Sequence, residues 1–227
     1  VALVPDRWRL TVGGRVEHND YSGVEFQPNV RIAWTPDAQD VYWAAVSRGV
    51  RTPSRGEANS RAVLSPPTPL ILLTVGDPGI DSEKMNALDM GWRRQWHSDL
   101  STDLSAYYYR YDGLRGTVVG MPTPPYLPLS LTNVLEASVK GLELAVDWRL
   151  SPAWRLKAGY SYASVSEEDA AGSLGGVSEL TGTTPRHQLT LLSTYDVTPS
   201  LQWDVLLRRV GKLCIGGMSG VTPEAEH

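Results

Sequence analysis

Apolar and polar residues alternate with a period of two along most of this chain. Segment 139–150 shows it best: one face carries Leu142, Leu144, Val146, Trp148 and Leu150, and the other carries Gly141, Glu143, Ala145, Asp147 and Arg149. Such alternation is typical of half-buried β-strands, and no helical period is sustained. It predicts nine strands, at about residues 8–18, 28–35, 41–50, 84–96, 100–112, 137–150, 154–166, 186–197 and 201–213.

The connections between these segments are of two kinds, which alternate along the chain. Short turns occupy residues 35–40, 97–101, 150–154 and 198–201, whereas long polar or Pro- and Gly-rich stretches occupy 19–27, 51–83, 113–136 and 167–185. An antiparallel up-and-down meander with short periplasmic turns and long extracellular loops is typical of outer-membrane barrels. The predicted fold class is therefore all-β, a segment of a transmembrane β-barrel with about nine strands.

The aromatic residues also have a distribution that fits a membrane barrel. Tryptophans occur close to the short turns, and several tyrosines occur where strands approach the long stretches. An indole or phenol ring with one hydrogen-bonding group suits the boundary between headgroups and hydrocarbon. The predicted membrane-interface girdle consists of Trp34, Trp43, Trp96, Trp148, Trp154, Trp203, Tyr108, Tyr160 and Tyr162.

Composition narrows the class of protein further. The 227 residues are 41% hydrophobic and carry a formal charge of -4, with 21 basic residues scattered along the chain, so nucleic-acid binding is not expected. The longest aliphatic run, residues 70–73, is far too short for a membrane-spanning helix. Charged residues instead alternate with the apolar ones, and in a wide barrel they would line a wet lumen and pair across neighbouring strands.

Signals of catalysis are weak. The stretch GYSYA (159–163) approaches a nucleophile elbow, but Ser161 lies inside an alternating strand instead of a strand-to-helix turn. The four histidines have no metal-ligand spacing, and Cys214 is the single cysteine. We therefore predict no enzyme activity, no metal site and no cofactor.

Five stretches of the chain carry motifs of a known kind: VYWAAVSRGVRTPSRGE (41–57), GIDSEKMNALDMGWRRQW (79–96), YYYRYDGL (107–114), NVLEASVKGLELAVDWRLSPAWRLKAGYSYA (133–163) and TTPRHQLTLLSTYDVTPSLQWDVLLRRVG (183–211). They resemble the TonB-dependent outer-membrane receptor family and occur in the order expected for the C-terminal part of its barrel. Ile80 and Ser82 replace the family's usual leucine and proline, and Asp89 replaces a glutamate. Within these motifs Gly49, Pro53, Gly91 and Gly141 are expected to set strand bends, bulges or loop entry.

The resemblance predicts an incomplete barrel over residues 1–213 and a non-matching tail over 214–227. Because the chain opens VALVPDRW, without the features of a signal peptide, we expect a fragment whose plug domain lies elsewhere.

The resemblance implies an active transporter in the outer membrane of a Gram-negative bacterium. It would import scarce nutrients, above all ferric siderophores, with energy from the TonB system acting through the plug. Arg51, Arg55 and Arg61 are candidate contacts for an anionic ferric chelate, and Tyr126 is a candidate for stacking on a catecholate ring. The alternatives for these arginines are contact with the phosphates of lipopolysaccharide or simple hydration of the loop. Lipopolysaccharide and outer-membrane lipid are expected partners.

Two other functions remain open at this point. One is a small structural or pore-like outer-membrane barrel without TonB coupling. The other is a soluble β-sandwich binding module.

Overall fold

The computed structural model describes residues 2–4, 7–64, 71–169 and 184–212, which form one twelve-stranded sheet and one short helix. The strands are β1 (Ala2–Val4), β2 (Trp8–Asn19), β3 (Gly23–Trp34), β4 (Asp40–Arg51), β5 (Arg61–Leu64), β6 (Ile71–Gly76), β7 (Glu83–His97), β8 (Leu100–Val119), β9 (Tyr126–Ser151), β10 (Trp154–Asp169), β11 (His187–Thr198) and β12 (Leu201–Val210). The helix α1 (Arg55–Asn59) lies between β4 and β5, and no helix among the described residues is long and apolar enough to span a membrane.

All nine strands predicted from the alternation are present, as β2–β4 and β7–β12. They pair antiparallel with their neighbours in chain order, so the sheet is an up-and-down meander. Within the described residues β1 and β12 are edge strands that do not pair with each other, so the sheet is a barrel segment that is not closed. The predicted fold class is confirmed, and a β-sandwich of two packed sheets is not formed.

Loop lengths at the outer rim differ from the sequence prediction. Residues 19–27 were expected to form a long connection, but β2 and β3 are joined by residues 20–22 alone. Asn19 Oδ1 accepts a hydrogen bond from the Tyr21 backbone N–H (2.9 Å), and Gly23 has a positive φ of 75°. This polar tight turn ends a hairpin whose alternation continues through Val24 and Phe26, so the outer rim mixes short and long connections.

The long stretches 51–83 and 113–136 contain structure that the alternation did not reveal. Strand β9 pairs antiparallel with β8 as far as Val119↔Leu129 and parallel with β6 from Ile71↔Tyr126 to Gly76↔Leu131. Together β5, β6 and the outer parts of β8 and β9 (113–119 and 126–136) extend the sheet beyond the main strands. We call this extension the crest.

The cross-strand register places side chains of like character on the same face. Trp8 pairs with Trp34, Val12 with Val30 and Val16 with Phe26 between β2 and β3. Between β4 and β7, Tyr42 pairs with Trp92, Ala44 with Met90 and Val46 with Leu88. The opposite face carries the polar residues, as in the pairs Asp147↔Lys157 and Glu143↔Ser161.

Burial shows which of these faces meets hydrocarbon. Large apolar side chains of the first face are open, with Val12 at 68% and Val16 at 69% exposure, whereas the buried hydrophobic residues are few and mostly small. Soluble proteins rarely expose a continuous apolar surface of this kind. A barrel in a bilayer does so on its outer wall, and the apolar face is therefore the lipid face.

Two aromatic rings on the polar face lie against glycines of the neighbouring strand. A Cβ atom at Gly91 would meet the Trp43 ring at 2.5 Å, and one at Gly141 would overlap the Tyr107 ring and the Tyr162 carbonyl. The bulges expected at these glycines are not formed, because the strand register has no shift at Gly91 or Gly141. Their role in the structure is to make room for a ring, since only a residue without a side chain admits such close approach.

The replacement Gly141→Ala should therefore destabilise the barrel of the full-length receptor by about 1–3 kcal/mol, because the added methyl group displaces Tyr107 and the backbone of β10. Thermal unfolding in detergent, followed by heat-modified mobility on gels, measures this change.

Gly159→Ala is the matched control. Gly159 lies on the same face of the adjacent strand, but no atom lies within 4 Å of its ideal Cβ position. We expect unchanged stability, and equal losses in the two variants would contradict the role given to Tyr107.

Candidate functional site

The polar face of the sheet is concave. One cavity of about 1100 Å³ is lined by residues of β2, β3, β4, β7, β8, β9 and β10, which a flat sheet could not bring together. Its charged members are Arg9, Arg31, Asp89, Arg93, Asp103 and Glu143. The face therefore has the shape and polarity of the inner wall of a wide barrel.

Opposite charges on this face pair between neighbouring strands. Arg93 of β7 donates through Nε (2.7 Å) and Nη2 (2.5 Å) to Asp103 Oδ2 of β8. Arg155 of β10 binds both carboxylate oxygens of Asp147 in β9, with Nε at 2.7 Å from Oδ1. Cross-strand ion pairing, which the alternation predicted, is thus present on the concave face.

Aromatic residues also lie on the concave face. Tyr109 donates a hydrogen bond to Asp89 (2.7 Å) and stacks on Tyr107, with 5.0 Å between the ring centroids. The Arg31 guanidinium lies 5.6 Å from the centroid of the Trp43 ring. Trp43 is therefore a correction to the predicted girdle, because the register that puts Trp34 and Tyr42 on the lipid face turns the next residue inward.

The other predicted girdle residues lie on the lipid face. Trp34, Trp96, Trp148, Trp154 and Trp203 occur near the short turns, and Tyr108, Tyr160 and Tyr162 occur further along their strands. Trp154 and Tyr162 are separated by about 20 Å along the membrane normal if β10 is tilted as in outer-membrane barrels. Girdle spacing of this size suits the apolar band of such a barrel.

Four charged residues meet at the outer rim of the concave face, and we call them the rim cluster: Arg51, Glu57, Glu83 and Arg115. Arg51 donates to Glu83 (2.9 Å) and to Glu57 (3.0 Å). Arg115 binds Glu57 through its side chain and Glu83 through its backbone N–H (3.0 Å). Two arginines and two glutamates thus neutralise each other where β4, α1, β7 and β8 converge.

The rim cluster holds α1 in place. Ser54 and Glu57 form a capping box, in which the Ser54 backbone N–H donates to Glu57 Oε2 (2.8 Å) while Glu57 Oε1 accepts from the two arginines. On the other side of α1, Gly76 of β6 packs so closely that a Cβ atom there would meet backbone atoms of Glu57, Ala58 and Ser60. A five-residue helix is not stable alone, so these contacts fix its position.

Arg115 was not recognised as a site residue from the sequence. Its side chain is 5% exposed, and burial, with a smaller effect from the nearby Arg51 charge, lowers its pKa to about 10. It therefore stays cationic at neutral pH. The one sequence signal for Arg115 is that it directly follows the family-like stretch YYYRYDGL (107–114). Its partner Glu83 lies in another such stretch, 79–96.

Asn133 makes a second tie between the same motifs. It accepts from the Asp81 backbone N–H (2.7 Å) and donates to the Gly113 carbonyl (2.5 Å), where Gly113 has a positive φ of 68°. Residues from several of the resembling stretches are therefore packed together at one rim.

The predicted ligand contacts divide into two groups. Arg51 is engaged by two carboxylates of the rim cluster, so its charge is largely compensated. Arg55 on α1 and Arg61 at the start of β5 are exposed, and no carboxylate among the described residues pairs with them. Tyr126 is an exposed residue at the tip of the crest. The structure thus brings these residues to one rim.

A family comparison identifies this architecture. Residues 2–221 match the sequence model of the family described as TonB dependent receptor-like, beta-barrel. The chain belongs to the TonB-dependent receptor family. The match extends beyond residue 213, where the sequence predicted the barrel to end, and residues 213–227 lie outside the described ones. No curated protein matches the sequence.

Solved receptors share the fold of this TonB-dependent receptor segment. A mutant ferric enterobactin receptor of Pseudomonas aeruginosa superposes with a TM-score of 0.72 at 19% identity, over 92% of this chain and 31% of the receptor. The siderophore receptor PirA of Acinetobacter baumannii gives 0.70 at 17% identity, over 93% and 33%. PirA of Pseudomonas aeruginosa gives 0.72 at 18% identity, over 92% and 38%. The chain therefore spans about a third of the length of these receptors.

Family membership confirms three of the sequence predictions. The receptors are Gram-negative outer-membrane proteins, they are not enzymes, and the resemblance found in the motifs is genuine. It also favours a receptor barrel over the small pore-like barrel considered above. Ser161 lies within β10, paired with Glu143 and Gln188.

The variant Glu57→Gln should release α1 from the rim of the full-length receptor. Glutamine keeps one acceptor oxygen for the capping box, but its NH2 group then faces Arg51 and Arg115, so the change removes both the charge and the acceptor that compensate buried Arg115. Loss of one partner from a buried ion pair costs about 3 kcal/mol, and trypsin should then cleave after Arg55 and Arg61 at least about tenfold faster. Mass spectrometry of the digestion products measures both rates.

Glu136→Gln is the control for this experiment. Glu136 pairs with Arg110 at 3.4 Å on an exposed part of the sheet, and exposed pairs contribute little. Cleavage at an unchanged rate in Glu57→Gln would show that the rim cluster does not hold α1.

Proposed function

We propose that this chain is part of the barrel of a TonB-energised importer of anionic ferric siderophores. The observation that carries the proposal is the crest together with α1, which stand at the outer rim above the concave polar face and carry Arg61 and Arg55, two exposed arginines without a carboxylate partner among the described residues. The similar solved structures include a ferric enterobactin receptor and a siderophore receptor, which supports the same substrate class.

Arg55 and Arg61 are the better candidates for ligand attraction. A ferric tris-catecholate carries net negative charge, and an exposed guanidinium without a carboxylate partner keeps its positive field available. Arg51 faces the same rim, but its two glutamate partners offset most of that field. We therefore assign Arg51 the task of holding α1 and reserve ligand contact for the other two arginines.

Tyr126 is within reach of a ligand held near Arg61. Arg61 pairs with Val75, and Val75 pairs with Ser130, four residues along β9 from Tyr126. That offset corresponds to about 13 Å along a strand, and the two strand spacings from β5 to β9 add about 10 Å across the sheet, so the two positions are about 16 Å apart. A ferric chelate would bridge them with the added reach of both side chains, with a catechol ring against the phenol and a negative edge towards the guanidinium.

The concave face suits the passage below this platform. Its paired charges and hydrogen-bonded tyrosines hold water and polar groups, and in the complete receptor they would face the plug. Transport would follow the family scheme, in which energy relayed by TonB moves the plug and releases the ligand inward. Outer-membrane lipid and lipopolysaccharide would surround the apolar face.

Replacing Arg55 and Arg61 by alanine in the full-length receptor should weaken binding of ferric enterobactin about tenfold, mainly through slower association at low salt. A neutral ferric trihydroxamate should be affected much less. Fluorescence quenching with stopped-flow mixing measures both constants, and uptake of radioactive iron by cells with and without TonB measures transport.

Arg110→Ala serves as the matched control. Arg110 lies near the same rim but pairs with Asp112 and Glu136 on the outward side. If the double alanine variant binds ferric enterobactin as the wild type does, the ligand role of these arginines is wrong. If iron uptake is independent of TonB, the transport proposal itself fails.

A further inference from the structure

A cluster of four residues lies on the lipid face beside the short turns: Asp40, Trp92, Arg94 and Trp96. We call it the Arg94 cluster. Asp40 is the first residue of β4 and pairs in register with Arg94 of β7. Trp92 and Arg94 share the face of Leu88 and Met90, which is the face that meets hydrocarbon. A buried carboxylate and a guanidinium thus lie on the face that carries Leu88 and Met90.

The contacts within the cluster hold the arginine in one orientation. Trp92 Nε1 donates to Asp40 Oδ1 (2.7 Å), and Arg94 Nη1 donates to Asp40 Oδ2 (3.0 Å). The guanidinium lies 4.6 Å from the centroid of the Trp96 ring, whose own N–H donates to Thr102 (3.0 Å). Cation–π contact and charge-assisted hydrogen bonding therefore act together on one side chain.

The cluster ends a continuous row of aromatic rings. Trp8 stacks on Trp34, Trp34 on Tyr42 and Tyr42 on Trp92, with centroid distances of 5.5, 5.3 and 6.3 Å. Trp92 then meets Trp96 edge to face at 6.2 Å. Such a row marks the level of the lipid headgroups. Since the short turns of these barrels are periplasmic, the headgroups at this level belong to the leaflet that faces the periplasm.

Arg94 has more donors than the protein satisfies. A guanidinium has five N–H groups. Among the described residues, Nη1 of Arg94 donates to Asp40, while Nε is buried and has no acceptor, and Nη2 has none either. The side chain of Arg94 is 32% exposed, whereas that of Asp40 is 7% exposed, so the arginine is the open member of the pair. Because Nε is buried, lipid can reach only the terminal nitrogens of Arg94, and an unsatisfied donor there, beside hydrocarbon, is costly without an acceptor from the membrane.

We propose that the Arg94 cluster is a binding site for the phosphate group of a phospholipid in the periplasmic leaflet. A phosphodiester supplies acceptor oxygens at the depth of the aromatic row, and its planar recognition by a guanidinium is stronger than that by an ammonium. The cluster lies on strands with neighbours on both sides, so lipid is what covers it in the complete barrel. A phospholipid bound there would fix the depth of the barrel in the membrane. The site does not contact the transported ligand.

The chain contains an internal control, because Arg93 and Arg94 are adjacent and point to opposite faces. Arg93 pairs with Asp103 on the concave face and has no access to lipid. In the purified full-length receptor, Arg94→Gln should weaken binding of phosphatidylglycerol and phosphatidylethanolamine about tenfold, whereas Arg93→Gln should leave it unchanged. Native mass spectrometry with added lipid measures the affinities, and heat-modified mobility verifies that each variant is folded.

A second variant and two further probes complete the test. Arg94→Lys keeps the charge but loses the planar fork and the ring contact, so its affinity should lie between those of the wild type and Arg94→Gln. Phosphate-free digalactosyl diacylglycerol should bind weakly and equally to all variants.

Two outcomes would overturn the proposal. One is equal affinity of the wild type and Arg94→Gln for phosphatidylglycerol. The other is that the wild type binds the phosphate-free lipid as tightly as phosphatidylglycerol. Displacement of the lipid by millimolar inorganic phosphate would overturn its assignment to a lipid.

Discussion

Backbone hydrogen bonding is the constraint on which the rest of this structure depends. Hydrocarbon offers no partner for an N–H or C=O group, so a chain that crosses a bilayer as strands must pair each strand with its neighbours. The unbroken antiparallel ladder from β7 to β12 meets this requirement. It also fixes the register, and the register decides which side chains face lipid. A slip of one residue would turn Trp34 inward and Arg31 outward.

Glycine and aromatic residues reinforce that register on the polar face. Tyr107 and Trp43 lie against glycines of adjacent strands, so each ring occupies space that a side chain would otherwise fill. Such a contact is possible in one register only. On the lipid face, stacking from Trp8 to Trp92 continues across four strands. Alignment of strands is thus specified on both faces and not by hydrogen bonds alone.

The outer rim is organised by a different interaction. There the strands extend beyond the bilayer, so lipid contact no longer decides where side chains lie. The buried ion pairs of Arg115 with Glu57 and Glu83 hold the elements of the rim in position instead. A buried ion pair adds little to the free energy of unfolding, but it fixes the relative position of the elements that carry it, because each charge is costly to bury without its partner. They place α1 at the base of the crest, where Arg55 is presented to the outside.

The sequence by itself determined the strands, their order and the apolar face, because a period of two needs only local information. It also determined the family, since the motif residues keep their order along the chain. Only the tertiary structure decided that Trp43 faces inward, that Arg115 compensates Glu57, that β6 pairs parallel with β9, and that Asp40 and Trp92 hold Arg94. Each of these depends on register or on contacts between residues far apart in sequence, and alternation along one strand carries no information about the neighbouring strand.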